Sequence, residues 1–164
     1  MSDALTANLG MNSAANPRNS EGGTFTNAEN GGPVGPAVDN DKDYYVTRDG
    51  VKFAGTHLLV DLWGASRLDE LELIEETLRQ CAVAAGATIL HCHLHHFLPN
   101  GGISGVLVLA ESHISIHSWP ERGFAAVDLF MCGECDPYKA VPILRQAFAP
   151  AFVTLGENKR GLVP

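Results

Sequence analysis

The stretch Ser112-His113-Ile114-Ser115-Ile116-His117-Ser118 alternates isoleucine with histidine and serine, the period of a strand that buries one face and opens the other. Ser104 to Glu111 reads as a strand directly before it. Phe124 to Met131 reads as one directly after it, across the chain-breaking Trp119-Pro120-Glu121-Arg122-Gly123. Connections this short join antiparallel neighbours, because a parallel crossover needs about a dozen residues or more.

Upstream, Ala87 to Phe97 is also β-like and is closed by the turn residues Leu98-Pro99-Asn100-Gly101-Gly102. Thr56 to Trp63 is the first strand. Leu71, Ile74, Leu78, Ala82 and Ala85 recur at helical spacing until Gly86, and Ser66 with Asp69 has the spacing of a capping box. Glu72, Glu75, Glu76 and Arg79 form the solvated side of that helix. Asp136-Pro137 suits a second helix start, with Ile143, Leu144 and Phe148 on its apolar side and Pro142 positioned to limit or kink it. Ala151 to Leu155 is a last strand before a polar tail. The expected fold is α+β, a two-layer sandwich with a mainly antiparallel sheet and helices on one face. The other face then needs a polar surface or a partner, so a homodimer is expected.

The chain has 164 residues, 45% of them hydrophobic, enough for one core. Residues 1–50 are expected to be a disordered extension, because Met1 to Asp43 is rich in Asn, Gly, Ser, Thr and Pro and has few large apolar residues. Residues 51–164 form the folded domain. No secretory signal, transit peptide or membrane-length apolar run is present, so a cytoplasmic protein without membrane contact is expected. The formal net charge of −8 argues against nucleic acid as a partner. Cys81, Cys92, Cys132 and Cys135 are too sparse for a disulfide framework and are expected to be reduced.

Chemistry concentrates around Glu111-Ser112. A serine hydroxyl can attack its own preceding carbonyl when the backbone is strained and a donor stabilises the oxyanion. A base is then needed near the Ser112 α-hydrogen, and His117 has a suitable unperturbed pKa. Two other groupings carry different chemistry. His91, His93 and His95, with His96 and Cys92, resemble a metal cluster, but they are spread over more than one zinc site uses, and no metal is expected. Cys132-Gly133-Glu134-Cys135 has redox spacing without a thioredoxin-like βαβ pattern before it, which leaves Cys135 a bystander.

The block Glu111-Ser112-His113-Ile114-Ser115-Ile116-His117-Ser118-Trp119-Pro120-Glu121, followed by Gly123 to Gly133, resembles the prokaryotic S-adenosylmethionine decarboxylases at almost every position. Gly86-Ala87-Thr88-Ile89 and the span from Phe97-Leu98-Pro99 to Ser104-Gly105-Val106 are similar to the same family, and the likeness runs from about Gly55 to Leu155. The resemblance implies cleavage between Glu111 and Ser112, with Ser112 becoming a covalent pyruvoyl cofactor. It implies that Ser104 and His117 assist processing and that Cys132 donates the proton in decarboxylation. Glu121 would bind the ribose of S-adenosylmethionine and Phe97 would stack on its adenine. Phe53 is a second candidate ring, since an aromatic face suits a cationic sulfonium. The implied product is the decarboxylated aminopropyl donor, S-adenosylmethioninamine, used for spermidine. A keto group conjugated to an amide fits this role, because it can form a Schiff base with the substrate amine and accept electrons as carbon dioxide leaves. A decarboxylase of arginine or ornithine on the same scaffold and a zinc or redox module are the competing readings.

Overall fold

The computed structural model describes residues 44–163, and most of the expected extension, residues 1–43, lies outside the described residues. The strands are β1 (Val46–Arg48), β2 (Val51–Phe53), β3 (Gly55–Trp63), β4 (Ile89–His96), β5 (Ile103–Leu109), β6 (Ser112–Trp119), β7 (Phe124–Cys132) and β8 (Phe152–Arg160). The helices are α1 (Leu71–Ala85) and α2 (Val141–Phe148). β1 and β2 pair as a hairpin, and the other strands form one six-stranded sheet in the order β4-β5-β6-β7-β3-β8, antiparallel throughout. The α+β two-layer architecture is therefore as expected.

Alternation along each strand sorts the sheet into two faces. Leu58, Val60 and Leu62 of β3, Ile114 and Ile116 of β6, and Val127, Leu129 and Met131 of β7 are buried in one cluster. Ile74, Leu78 and Ala82 of α1 and Leu144 and Phe148 of α2 complete that cluster, so both helices cover the same face. The opposite face carries Leu59 and Trp63, Val108, Trp119 and Phe152, all well exposed. Trp63, Phe124 and Trp119 form a ring ladder there, with centroids 4.3 and 5.3 Å apart on either side of Phe124. Among the described residues no helix is long and apolar enough to cross a membrane.

Several local expectations change. Ser66 does not cap α1: its hydroxyl donates to the Phe148 carbonyl at 3.3 Å, tying the entry of α1 to the end of α2, and Glu70 occupies the N-cap with its carboxylate turned to Arg67 rather than to the helix N–H groups. The Ser66-Asp69 pattern is a local signal overridden by a tertiary contact. Gly86 ends α1 as expected, in the left-handed region at φ 86°, where its N–H reaches the last-turn carbonyls. Pro142 kinks nothing. Asp136 accepts the Tyr138 N–H and Pro137 opens a short 3-10 turn, so α2 begins only at Val141 and Pro142 falls in its first turn, where no N–H is needed. The final strand runs to Arg160, five residues past Leu155, because β3 supplies pairing for a segment whose own composition is polar. Residues 46–50 also leave the expected extension, forming β1 and the Asp49-Gly50 turn of the hairpin.

Candidate active site

Leu109 pairs directly with Ser112, which leaves Ala110 and Glu111 as a two-residue turn between β5 and β6. Closing it forces Glu111 to φ 62°, a left-handed conformation that costs an L-residue roughly 1–2 kcal/mol. The strained residue is the one whose carbonyl precedes Ser112. Ser112 is only 6% exposed, and its Oγ accepts the backbone N–H of Cys132 at 3.1 Å. The end of β7 thus clamps the Ser112 hydroxyl beside its own preceding peptide bond. Burial pushes the Cys132 thiol up, helped by the charge of Glu111 and by Cys135 and opposed by a hydrogen bond with Ser112. The thiol is consequently protonated at neutral pH. A cavity of about 440 Å³ opens at this end of the sheet, lined by Glu111, Cys132, Gly133 and Cys135 and walled by Tyr44 and Tyr45.

Ser104 and His117 lie elsewhere. They are partners in the β5-β6 register, with Ser104 Oγ 2.9 Å from His117 Nδ1. His117 is five residues beyond Ser112 on β6, roughly 17 Å along the strand, and an odd spacing puts it on the opposite face. Within one chain His117 therefore cannot reach the Ser112 α-hydrogen, which corrects the expectation drawn from closeness in sequence. Phe97 and Glu121 accompany His117 at its end of the sheet. Phe97 follows β4, is 46% exposed and takes the edge of His95 at 4.5 Å. Glu121 is exposed on the short turn Pro120–Arg122 that follows β6. Phe53 is 1% exposed, with Lys159 Nζ 5.2 Å from its ring centroid, and it does not line the cavity beside Cys132. It lines instead a separate small cavity of about 180 Å³ with Thr56, Tyr138 and Lys159.

Residues 56–161 match the model of the S-adenosylmethionine decarboxylase family. The chain belongs to that family. It is 46% identical over 114 residues to the S-adenosylmethionine decarboxylase proenzyme of Thermotoga maritima, an alignment covering 68% of this chain and 87% of the relative. The proenzyme of the same name from Thermomicrobium roseum is 41% identical over 114 residues, covering 69% and 98%. The crystal structure of the adenosylmethionine decarboxylase from Aquifex aeolicus superposes with a TM-score of 0.60 at 36% identity, over 68% of this chain and 94% of that one.

The competing groupings look different beside this S-adenosylmethionine decarboxylase frame. His91, His93 and His95 share the open face of edge strand β4, successive rings standing on Cα atoms roughly 7 Å apart. Among the described residues no group of three or more histidine, cysteine or acidic side chains is placed to hold a metal. Cys132 and Cys135 are free, and burial raises both thiols, whereas a redox Cys-x-x-Cys needs a lowered one. Cys81 is pushed up to about 12 by burial in the core and is structural. The wall residue Tyr44 was missed because the composition of the preceding segment masked it. The signal was present in Tyr44-Tyr45-Val46 leading to Asp49-Gly50, an aromatic and β-branched run before a hairpin turn.

Proposed function

We propose that this chain is a self-processing S-adenosylmethionine decarboxylase that cuts itself between Glu111 and Ser112 and carries a pyruvoyl group at residue 112. The observation that carries the reading is the buried Ser112 hydroxyl, fixed by the Cys132 N–H at 3.1 Å immediately after the left-handed Glu111. The residues present fit the group, since a pyruvoyl is smaller than the serine it replaces, and the flanking Glu111 and the neighbouring Cys132 both line an open cavity. Once formed, it supplies the electron sink for decarboxylation of a substrate amine. Cys132 holds the proton for the former α-carbon, and its raised pKa keeps that proton in place at neutral pH. Free cysteines suit a reducing compartment, and the proposed location is the cytoplasm.

The test is release of labelled carbon dioxide from carboxyl-labelled S-adenosylmethionine. Activity should disappear after treatment with borohydride, which reduces the keto group. Turnover of arginine or ornithine but not S-adenosylmethionine would move the substrate assignment, and borohydride-resistant turnover would remove the pyruvoyl group.

The same reading includes a homodimer formed through the open sheet faces. Exposed Leu59, Trp63, Val108, Trp119 and Phe152 on one sheet face supply the apolar surface for it. A two-fold axis between facing sheets sets the Ser104, His117, Phe97 and Glu121 end of one chain over the Ser112 and Cys132 end of its partner. Each site is then built from two chains, which removes the 17 Å discrepancy. Co-expression of a Ser112→Ala chain with a His117→Ala chain is the check. The His117→Ala chain should stay uncut alone and be cut when its partner supplies His117. Failure of the mixture to cut would refute the shared site.

A further inference from the structure

His91, His93 and His95 stand on the open face of β4, an edge strand of the sheet, and of the three it is His95 that meets an aromatic ring. Its place is set by the neighbouring strand. Across the ladder it faces Ser104, whose hydroxyl lies 2.9 Å from His117 Nδ1. One step earlier Leu94 faces Gly105, where a β-carbon would stand 2.2 Å from the His93 carbonyl oxygen, so only glycine lets β4 approach β5 this closely. Two residues beyond His95, the Phe97 N–H donates to the Gly102 carbonyl at 2.8 Å and the Phe97 carbonyl accepts the Gly101 N–H at 2.9 Å, which fixes its backbone at the turn into β5. The Phe97 ring has no such anchor. It is 46% exposed, and among the described residues its one ring contact is His95, with centroids 4.5 Å apart and planes at 69°.

We propose that His95 is a positioning residue for S-adenosylmethionine, its ring bracing Phe97 so that a face of Phe97 is presented to the adenine. The inference rests on the decarboxylase reading above and on the expected stacking of Phe97. An edge-to-face pair holds both rings through the attraction between a positive edge and a negative face. A half-exposed phenylalanine without that brace samples several rotamers and has to be ordered each time substrate binds, which weakens affinity. The ribose and the sulfonium chain separate the adenine from the carboxyl group that leaves. The brace therefore acts equally on ground and transition states, and it shows in KM rather than in kcat. His95 touches no substrate; it acts through Phe97.

The experiment measures steady-state decarboxylation of S-adenosylmethionine by the full chain, with intact mass giving the cleaved fraction so that kcat is counted per cleaved chain. His95→Leu removes the ring from an exposed position outside the core. KM should rise roughly fivefold, the scale of one aromatic pair, with kcat per cleaved chain within about twofold of wild type. His95→Phe returns a ring and should bring KM back to within about twofold of wild type. In a Phe97→Leu background, where no ring is left to brace, His95→Leu should change KM little. A His95→Leu enzyme with the wild-type KM overturns the proposal, and so does a His95→Phe enzyme no better than His95→Leu. An equal rise in both backgrounds makes His95 a contact in its own right and overturns it too, as does a His95→Leu chain that stays uncut, which places His95 in processing. These results remove His95 and leave stacking by Phe97 intact. An unchanged KM in Phe97→Leu removes the stacking and this proposal with it, and a wild-type chain inactive on S-adenosylmethionine removes the decarboxylase reading itself.

Discussion

Ser112→Ala is expected to remain a single uncut chain and to have no decarboxylase activity. In the proposed self-cleavage, the Ser112 hydroxyl oxygen attacks the Glu111 carbonyl carbon, the C–N bond breaks as the nitrogen takes up a proton, and an ester forms. Removal of the Ser112 α-proton then breaks the Cβ–O bond and releases the Glu111 carboxylate. The dehydroalanine left behind is hydrolysed by one water to ammonia and the terminal keto amide. Alanine supplies no oxygen for the first bond, so every later step is lost with it. The substitution is a small perturbation of the fold, because Ser112 makes one accepted bond, from the Cys132 N–H, and leaving that donor unpaired costs about 1–3 kcal/mol. Intact mass under denaturing conditions reads the result directly. Wild type should give residues 1–111 and 112–164, and the variant one chain. A wild-type preparation that is uncut yet decarboxylates S-adenosylmethionine contradicts the mechanism.

Cys132→Ala is expected to separate the two activities. The bond that orients Ser112 comes from the backbone N–H of Cys132, which alanine retains, so cleavage should proceed. Decarboxylation should fall by on the order of 10²-fold or more, the usual size of a lost general acid. Because the thiol is raised above its ordinary value of 9.0, wild-type turnover should persist through neutral pH and decline only as the thiol ionises above that value. Cys135→Ala should stay close to wild type throughout, since its thiol is not the one paired with Ser112. Equal, severe losses in both variants would favour a paired-cysteine function, and full turnover in Cys132→Ala would remove that residue from the chemistry.

Much of the fold was legible because the sheet is built from strands with one buried face. Ile114 and Ile116 announce β6 by period alone, and the ladder of α1 from Leu71 to Ala85 is equally plain. Legibility failed where a contact from elsewhere in the chain decides the local structure. The Glu157 to Arg160 segment reads as a polar tail, and pairing with β3 makes it a strand. Ser66 reads as a helix cap, and the Phe148 carbonyl claims its hydroxyl instead. Tyr44 and Val46 sit at the edge of a segment of disordered composition, and the hairpin they begin is fixed by Gly133, nearly ninety residues away.

By itself the sequence determined the class of fold and pointed to Glu111-Ser112 as the proposed scissile pair, with the residue types that the proposed chemistry needs. Only the tertiary structure decided which of those residues meet. Ser112 and Cys132 are brought within one hydrogen bond by the β6-β7 register, although twenty positions separate them. Ser112 and His117, only five positions apart, are held on opposite faces and near opposite ends of one strand. The reason is geometric: an extended chain advances roughly 3.3 Å per residue and reverses its side chain at every step, so closeness in sequence along a strand is distance in space, and proximity comes from the neighbouring strand.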